Sequence, residues 1–141
     1  MLVVALLDSF YTTNPRHHGT LAPLWWYPGD SSVSSRNLRK MVPPGWDILC
    51  INSHPYIVAS ANHHGTPDPE YVGVLLRRLW PWDVLLVCGS VAKGTFKQSP
   101  FKGSSPILFI HHPAWRAWSA VDFSNVRLDI LLRTSAPSDD L

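Results

Sequence analysis

The sequence predicts an α/β protein: a single domain with a central four-stranded, mostly parallel sheet flanked by helices. Its main apolar runs have the length and composition of buried strands, and helix-like segments separate several of them. Strands that are apolar on both faces are typical of parallel sheets covered by helices. With 141 residues, 45% hydrophobic and 16% charged, the chain has the size and composition of one globular domain.

Each predicted strand is followed by a polar or flexible residue. The strands are predicted at residues 2–7, 48–51, 84–88 and 107–110. The residues that follow them are Asp8, Asn52, Gly89 with Ser90, and His112 after His111. Pro113 cannot continue a central strand, so the last strand ends before it. Because parallel strands end at one edge of a sheet, we expect these residues to face a common crevice.

Helices are predicted between and after the strands. Ser34 and Ser35 have the character of an N-cap for a short helix at 36–41, before Pro43 and Pro44. Further helices are predicted at about 70–80, from about 91, and at 122–133. The domain is therefore expected to span 1–134, followed by a flexible Ser/Asp/Pro tail at 135–141.

The charge and the cysteine content bear on nucleic-acid binding and on the redox compartment of the protein. A net charge of +2 does not by itself indicate nucleic-acid binding, although two basic clusters would permit a basic face. These clusters are Arg36, Arg39 and Lys40, and Lys93, Lys97 and Lys102. Cys50 and Cys88 lie in apolar runs and are expected to be buried thiols in a reducing compartment.

No apolar run is long enough to cross a bilayer, and the first run lacks the basic flank and cleavage site of a signal peptide. We therefore expect an intracellular protein, in the nucleus or cytoplasm, that acts as a monomer without a membrane partner.

The order of these motifs resembles that of the uracil-DNA glycosylase superfamily over roughly residues 3–133. The segments that carry the resemblance are Asn52 with Asn-His-His at 62–64, Cys-Gly-Ser-Val-Ala-Lys at 88–93, and His-Pro-Ala-Trp-Arg at 112–116. The His-Pro-Ala-x-Arg form is most similar to the poxviral branch. Residues 6–11 lack the family's Gly, Gln and Pro, and an alternative register puts Ser9 in the place of Asp8.

The resemblance implies an enzyme that hydrolyses the N-glycosidic bond of a flipped-out uracil, or a related modified pyrimidine, in DNA during base-excision repair. It implies that Asp8 activates water and that His112 stabilises the charge left on the base. Phe10 would exclude a 5-methyl group, Trp25 or Trp26 would stack on the base, and Asn52 would read the uracil edge. The residues expected to contact DNA are Ser34, Ser35, Arg36, Gly89, Ser90 and Lys93, with Trp115 and Arg116 as a wedge entering the duplex.

The side-chain chemistry suits such a reaction without a metal or cofactor. An Asn amide offers a donor and an acceptor in fixed geometry, which matches an imide edge. A neutral His can donate to a developing oxyanion, which contributes about 3–4 kcal/mol when the donor is preorganised. An ionised Asp can orient water, and stacking on Trp stabilises an extruded base by about 1–3 kcal/mol.

Two other functions fit the sequence. One is a catalytically weak or inactive module on the same fold that binds DNA or an unidentified protein partner. The other is a zinc hydrolase, in which one residue from each adjacent histidine pair would hold the metal and leave a position open for water. The pairs are His17-His18, His63-His64 and His111-His112.

Overall fold

A computed structural model describes residues 1–26, 32–60, 65–103 and 105–135 of the chain. Within these ranges five β-strands and four α-helices follow one another. They are β1 (Leu2–Leu7), β2 (Trp25–Trp26), α1 (Val33–Met41), β3 (Asp47–Asn52), α2 (Pro69–Arg78), β4 (Val84–Cys88), α3 (Gly89–Gln98), β5 (Ile107–Ile110) and α4 (Ala120–Thr134). A short 3₁₀ helix, Pro15–His17, lies between β1 and β2.

The strands form one mixed sheet in the order β2-β3-β1-β4-β5. Four of them are parallel, and β2 pairs antiparallel with β3 at one edge. The predicted single-domain α/β class is therefore confirmed, but the predicted number of strands is wrong. The fifth strand was missed because two residues are too few to show a strand period.

Both faces of the sheet are covered, as the apolar strands predicted. Along β1, Val3, Ala5 and Leu7 belong to one buried cluster, while Val4 and Leu6 belong to a second cluster on the opposite face. The first cluster includes Leu38 of α1 and Ile130 of α4. The second includes Leu76 of α2 and Ala92 of α3. Two helices therefore cover each face.

The helix starts show how side chains and backbone set these boundaries. The N-cap of α1 is Ser32, whose Oγ accepts a hydrogen bond from Ser35 N at 3.2 Å. The prediction of Ser34 and Ser35 as the cap is therefore wrong, since both lie inside the helix. Ser119 and Asp122 form a capping box at the start of α4, where each side chain accepts from the other residue's backbone N–H.

The last helix, α4, ends at Thr134. Ser135 is the C-cap of α4, and the remainder of the predicted tail, 136–141, lies outside the described residues. No helix in the described ranges has both the length and the apolar character needed to cross a bilayer.

Candidate active site at the sheet edge

The register of the strands brings the predicted strand-end residues to one edge of the sheet. Leu7 of β1 pairs with Asn52 of β3, and Cys88 of β4 pairs with Ile110 of β5. Because β4 lies between β1 and β5, two interstrand spacings of about 4.8 Å separate their ends. The two chain ends are thus about 10 Å apart, which leaves room for a ligand between the side chains that follow them.

A cavity of about 910 Å³ opens at this edge, which we call the sheet-edge cavity. Its volume lies in the range of small-molecule and cofactor sites. The predicted site residues that line it are Asp8, Phe10, Trp25, Ser34, Asn52, Gly89, Ser90 and His112. Side chains that are far apart in the sequence therefore meet around one space, because four parallel strands end beside it.

Asp8 lies in the loop that leaves β1, half-buried at the wall of the cavity. Its backbone carbonyl accepts a hydrogen bond from His54 N at 3.0 Å, which joins this loop to the one that leaves β3. Ser9 Oγ donates to Asp8 Oδ1 at 3.2 Å and accepts from Gly65 N at 3.3 Å. Both candidates for the catalytic position, Asp8 and Ser9, are thus at the cavity and in contact with each other.

Asn52 is the most deeply buried polar side chain of the predicted site that lines the cavity, with 4% of its surface exposed. Within the described ranges its side-chain amide makes no hydrogen bond. Although the residue as a whole is buried, its amide atoms are not among the buried polar atoms that lack a partner, so they are open to the cavity, where water or a ligand can satisfy them. The amide therefore provides both a donor and an acceptor to whatever occupies the cavity.

His112 lies directly after the end of β5, with its ring held by the following turn. Ala114 N donates to His112 Nδ1 at 3.0 Å, so Nδ1 carries a lone pair and the proton of the neutral ring lies on Nε2. The carbonyl of His112 accepts from Trp118 Nε1 and from Trp115 N, both at 2.9 Å. The imidazole is therefore oriented as an Nε2–H donor before any ligand binds.

Trp25 and Trp26 point in different directions, as successive strand residues do. Trp25 is half-buried and lines the cavity, whereas Trp26 is 55% exposed and does not. The sequence left open which of the two would stack on a base. The structure places Trp25 at the cavity, which Phe10 on the loop from β1 also lines.

Two helix N-termini border the same cavity. Ser32, Val33 and Ser34 at the start of α1 line it, as do Gly89, Ser90 and Val91 at the start of α3. The first N–H groups of a helix have no partner in the helix and carry partial positive charge. The cavity is therefore suited to anionic oxygen atoms, including those of phosphates.

The remaining predicted residues lie outside the sheet-edge cavity. Ser35 is fully buried within α1, and Arg36 is exposed without lining the cavity. Lys93 Nζ lies 5.7 Å from the Phe109 ring, on the outer face of α3. Trp115 and Arg116 line a separate groove, described below. Among the predicted basic clusters, Arg39 donates to the carbonyls of Val42, Pro43 and Trp46, which stabilises the turn after α1.

Sequence analysis did not identify several residues of the cavity wall, among them Ser32, Val58 and Ser60. Val58 N donates to Phe10 O at 2.9 Å, which links two loops that carry no periodic pattern. No signal in the sequence pairs these loops. The Asn-His-His segment at 62–64 lies outside the described residues.

Cys88 also contributes to the cavity wall although only 1% of its surface is exposed. Burial raises the pKa of the Cys88 thiol well above its ordinary value, and the nearby Cys50 raises it further. The thiol is therefore protonated at neutral pH and is not poised as a thiolate nucleophile.

Residues 1–26, 32–60, 65–103 and 105–135 contain no cluster of three metal-ligating side chains. His18 Nε2 lies 2.7 Å from Thr12 O, and His111 stacks on Trp115 with ring centroids 3.9 Å apart. His63 and His64 of the zinc hypothesis lie outside the described residues. Comparisons with protein-family models, with curated proteins and with solved structures found no match.

Proposed function

We propose that this chain is a DNA glycosylase that hydrolyses the N-glycosidic bond of an extruded uracil or a related modified pyrimidine. The observation that carries the proposal is the amide of Asn52, which has no hydrogen-bond partner within the described residues and is open to a cavity that Asp8 and His112 also line. An imide edge needs one donor and one acceptor side by side, which an Asn amide supplies. A wrong base would leave this amide unpaired, so the same contact would give selectivity.

The two ionisable groups would have complementary roles at opposite ends of the substrate. The Asp8 carboxylate would orient a water molecule toward the anomeric carbon and would balance positive charge that develops on the sugar. As the glycosidic bond breaks, its electron pair moves into the pyrimidine ring. The Nε2–H group of His112 would donate to the oxygen on which that charge collects. The Asp8 carboxylate would accept a proton from the attacking water, and the pyrimidine anion would take up a proton from solvent on release, so the products are an abasic sugar and the neutral free base.

The rest of the cavity suits a nucleotide. The aromatic ring of Trp25 offers a stacking surface for a base taken out of a helix, a step that costs a few kcal/mol. The N-termini of α1 and α3 offer backbone N–H groups to phosphate oxygens. These features support DNA as the substrate in the absence of a large net positive charge.

The direct test is a cleavage assay on single- and double-stranded oligonucleotides that contain uracil, a thymine mismatch or hydroxymethyluracil. The proposal predicts release of the free base and formation of an alkali-sensitive abasic site. Asp8→Asn is expected to lower the rate about 10²–10⁴-fold, since it removes the base that activates water. Asp47→Asn is the matched control, because Asp47 is exposed at the opposite end of β3.

The outcomes separate the alternatives. Equal rates for the parent protein and Asp8→Asn would overturn the assignment of Asp8. Binding to uracil-containing DNA without release of the base by the parent protein would favour a non-catalytic DNA-binding module. Stoichiometric zinc in the purified protein, with activity lost on chelation, would favour the zinc hydrolase.

A further inference from the structure

A second concave surface adjoins the sheet-edge cavity and has a different chemical character. This groove has a volume of about 320 Å³ and lies between the start of α4, the exposed side of α1 and the loop after β5. We call it the aromatic groove; its characteristic residues are Asn37, Lys40, Trp115, Arg116, Trp118 and Phe123. Val33 and Ala114 line both spaces, so the groove and the cavity are neighbours.

The lining of the aromatic groove combines aromatic rings with positive charge. Two cations, Lys40 and Arg116, are exposed at its rim, and none of the described residues that line it is acidic. Lys40 Nζ lies 5.4 Å from the centroid of the Phe123 ring. Rings next to cations are the combination that binds single-stranded nucleic acid, because bases stack on the rings and phosphates contact the cations.

The aromatic walls are held in place by other parts of the site. The Trp115 ring stacks on His111 with an angle of 18° between the planes, and Trp118 stacks on Phe123 with ring centroids 5.2 Å apart. Trp118 Nε1 also donates to the carbonyl of His112. Asn37 Nδ2 donates to Pro113 O at 2.7 Å, which joins α1 to the loop after β5. Rings that are already ordered lose little conformational entropy when a base stacks on them.

We propose that the aromatic groove is a subsite for the nucleotide next to the extruded pyrimidine on the same strand. This inference rests on the proposed function and extends it. The neighbouring base stacks on the wall formed by Trp115 and Trp118, and the phosphate between the two nucleotides lies near Lys40 and Arg116. In this arrangement Trp115 is a wall of the subsite, whereas the sequence predicted a wedge that enters a duplex.

The subsite has a consequence for the form of the substrate. A base that lies in the aromatic groove cannot also stack within a duplex, so the strand must be unstacked on that side of the target. Single-stranded DNA meets this requirement at a lower cost than duplex DNA, which must give up base pairing as well as a stacking step. We therefore infer that the enzyme acts on single-stranded DNA or on unpaired regions in preference to intact duplex.

The test is a series of short single-stranded substrates that differ only in the flanking nucleotides. Uracil release is measured from a trinucleotide with uracil in the centre, and from the same molecule with an abasic residue on the 5′ or the 3′ side. Loss of the flanking base on one side is expected to lower kcat/KM about tenfold or more, which corresponds to one base–aromatic stack. Loss on the other side is expected to have a much smaller effect.

Variants of Trp115 and Lys40 test whether the aromatic groove causes the dependence on the flanking base. Trp115→Ala is expected to abolish the difference between the normal and the abasic flank. Lys40→Gln, at an exposed position, is expected to raise KM and to reduce the salt dependence of binding while leaving the preference for a flanking base. The controls are Arg77→Gln, an exposed cation within α2, and Trp80→Ala, an exposed aromatic residue just after it. Neither residue lines the sheet-edge cavity or the aromatic groove.

The results distinguish this inference from the proposed function. Uracil release that is independent of both flanking bases, or a dependence that Trp115→Ala leaves unchanged, overturns the subsite alone. A preference for duplex over single-stranded substrate also overturns it and favours the wedge. If neither this series nor the longer oligonucleotides with uracil, a thymine mismatch or hydroxymethyluracil lose a base, the proposed function itself is overturned.

Discussion

Asn52 and Asp8 lie side by side at the carboxyl ends of adjacent strands, but they have different surroundings. Asp8 takes part in a hydrogen bond with Ser9, whereas the amide of Asn52 has no partner in the described parts of the chain. In the proposed reaction the hydrogen-bonded Asp8 positions water, and the Asn52 amide recognises the base. A group that is already oriented can position water, while a group that is unsatisfied can recognise a ligand.

Replacement of Asn52 by Asp tests whether the side-chain amide recognises the imide edge of the base. The change exchanges the amide donor for a second acceptor and adds a negative charge beside Asp8. Uracil excision is expected to fall about 10²-fold or more, because the imide edge then faces two acceptors in a buried site. Single-turnover kinetics on uracil and cytosine substrates measure the change in preference. The exposed Asn125→Asp on α4 is the control, and an unchanged ratio of the two rates would contradict the assignment.

His112 allows a graded test because its proposed role is to donate one hydrogen bond. His112→Leu removes the donor and is expected to lower kcat about 10²–10³-fold, the typical cost of losing one preorganised donor to an oxyanion. His112→Gln keeps an N–H donor and is expected to retain more activity than His112→Leu. His17→Gln, in the exposed 3₁₀ helix, is the matched control. Equal losses in the Gln and Leu variants would show that the imidazole acts by some means other than donation.

The helix α3 contains two glycines, of which one has a backbone conformation that favours glycine and the other does not. Gly89 begins the helix with φ at +91°, and a Cβ atom there would lie 3.3 Å from His112 Cβ. Gly94 lies in the helix interior with nothing within 4 Å of such an atom. Only the first glycine is needed by the structure, because it lets β4 turn directly into α3 beside the imidazole.

These two positions give a matched pair of substitutions in one helix. Gly89→Ala is expected to lower the free energy of unfolding by about 1–2 kcal/mol, since the backbone there is unfavourable for an L-residue. Gly94→Ala is expected to raise it by about 0.5–1 kcal/mol through helix propensity. Urea denaturation measures both changes. A stabilising effect of Gly89→Ala would show that the turn does not require glycine.

The elements differ in how far the sequence could predict them. The predicted bounds of β1, β4 and β5 agree with the structure, because uninterrupted apolar runs identify strands buried on both faces. The start of α1 was predicted three residues late, since Ser32, Ser34 and Ser35 are all residues that favour N-caps. The strand Trp25–Trp26 had no local signal and depends on pairing with Leu49 and Cys50 in a distant segment.

At the scale of the whole molecule, the sequence could likewise predict one part of the candidate site and not another. Residues that directly follow strands could be predicted to share an edge, because the parallel sheet fixes where its strands end. The aromatic groove could not be predicted in this way. It depends on how α1 and α4 pack on one face of the sheet, with Asn37 joined to Pro113 and Trp118 joined to His112. Such contacts between distant segments have no periodic signature in the sequence.

The stability of the whole fold is expected to depend on pH through Cys88. Burial among the strands raises the pKa of this thiol well above its ordinary value of 9.0, and Cys50 adds to the increase. In the unfolded chain the thiol titrates near its ordinary value. As the pH rises above about 9, the unfolded state therefore loses a proton that the folded state retains. The free energy of unfolding falls over that interval, by up to about 1.4 kcal/mol per pH unit for this one proton.

The comparison that isolates this contribution is between the parent protein and Cys88→Ala. Below pH 8 the variant is expected to be less stable, because it leaves a small cavity beneath the sheet-edge cavity. Between pH 9 and 10.5 its free energy of unfolding should fall less steeply than that of the parent, so the two urea-denaturation curves converge. Parallel pH profiles would mean that the thiol titrates alike in both states, which is incompatible with its burial in the core. Convergence would place the titrating group at the end of β4, beside the residues assigned to the reaction.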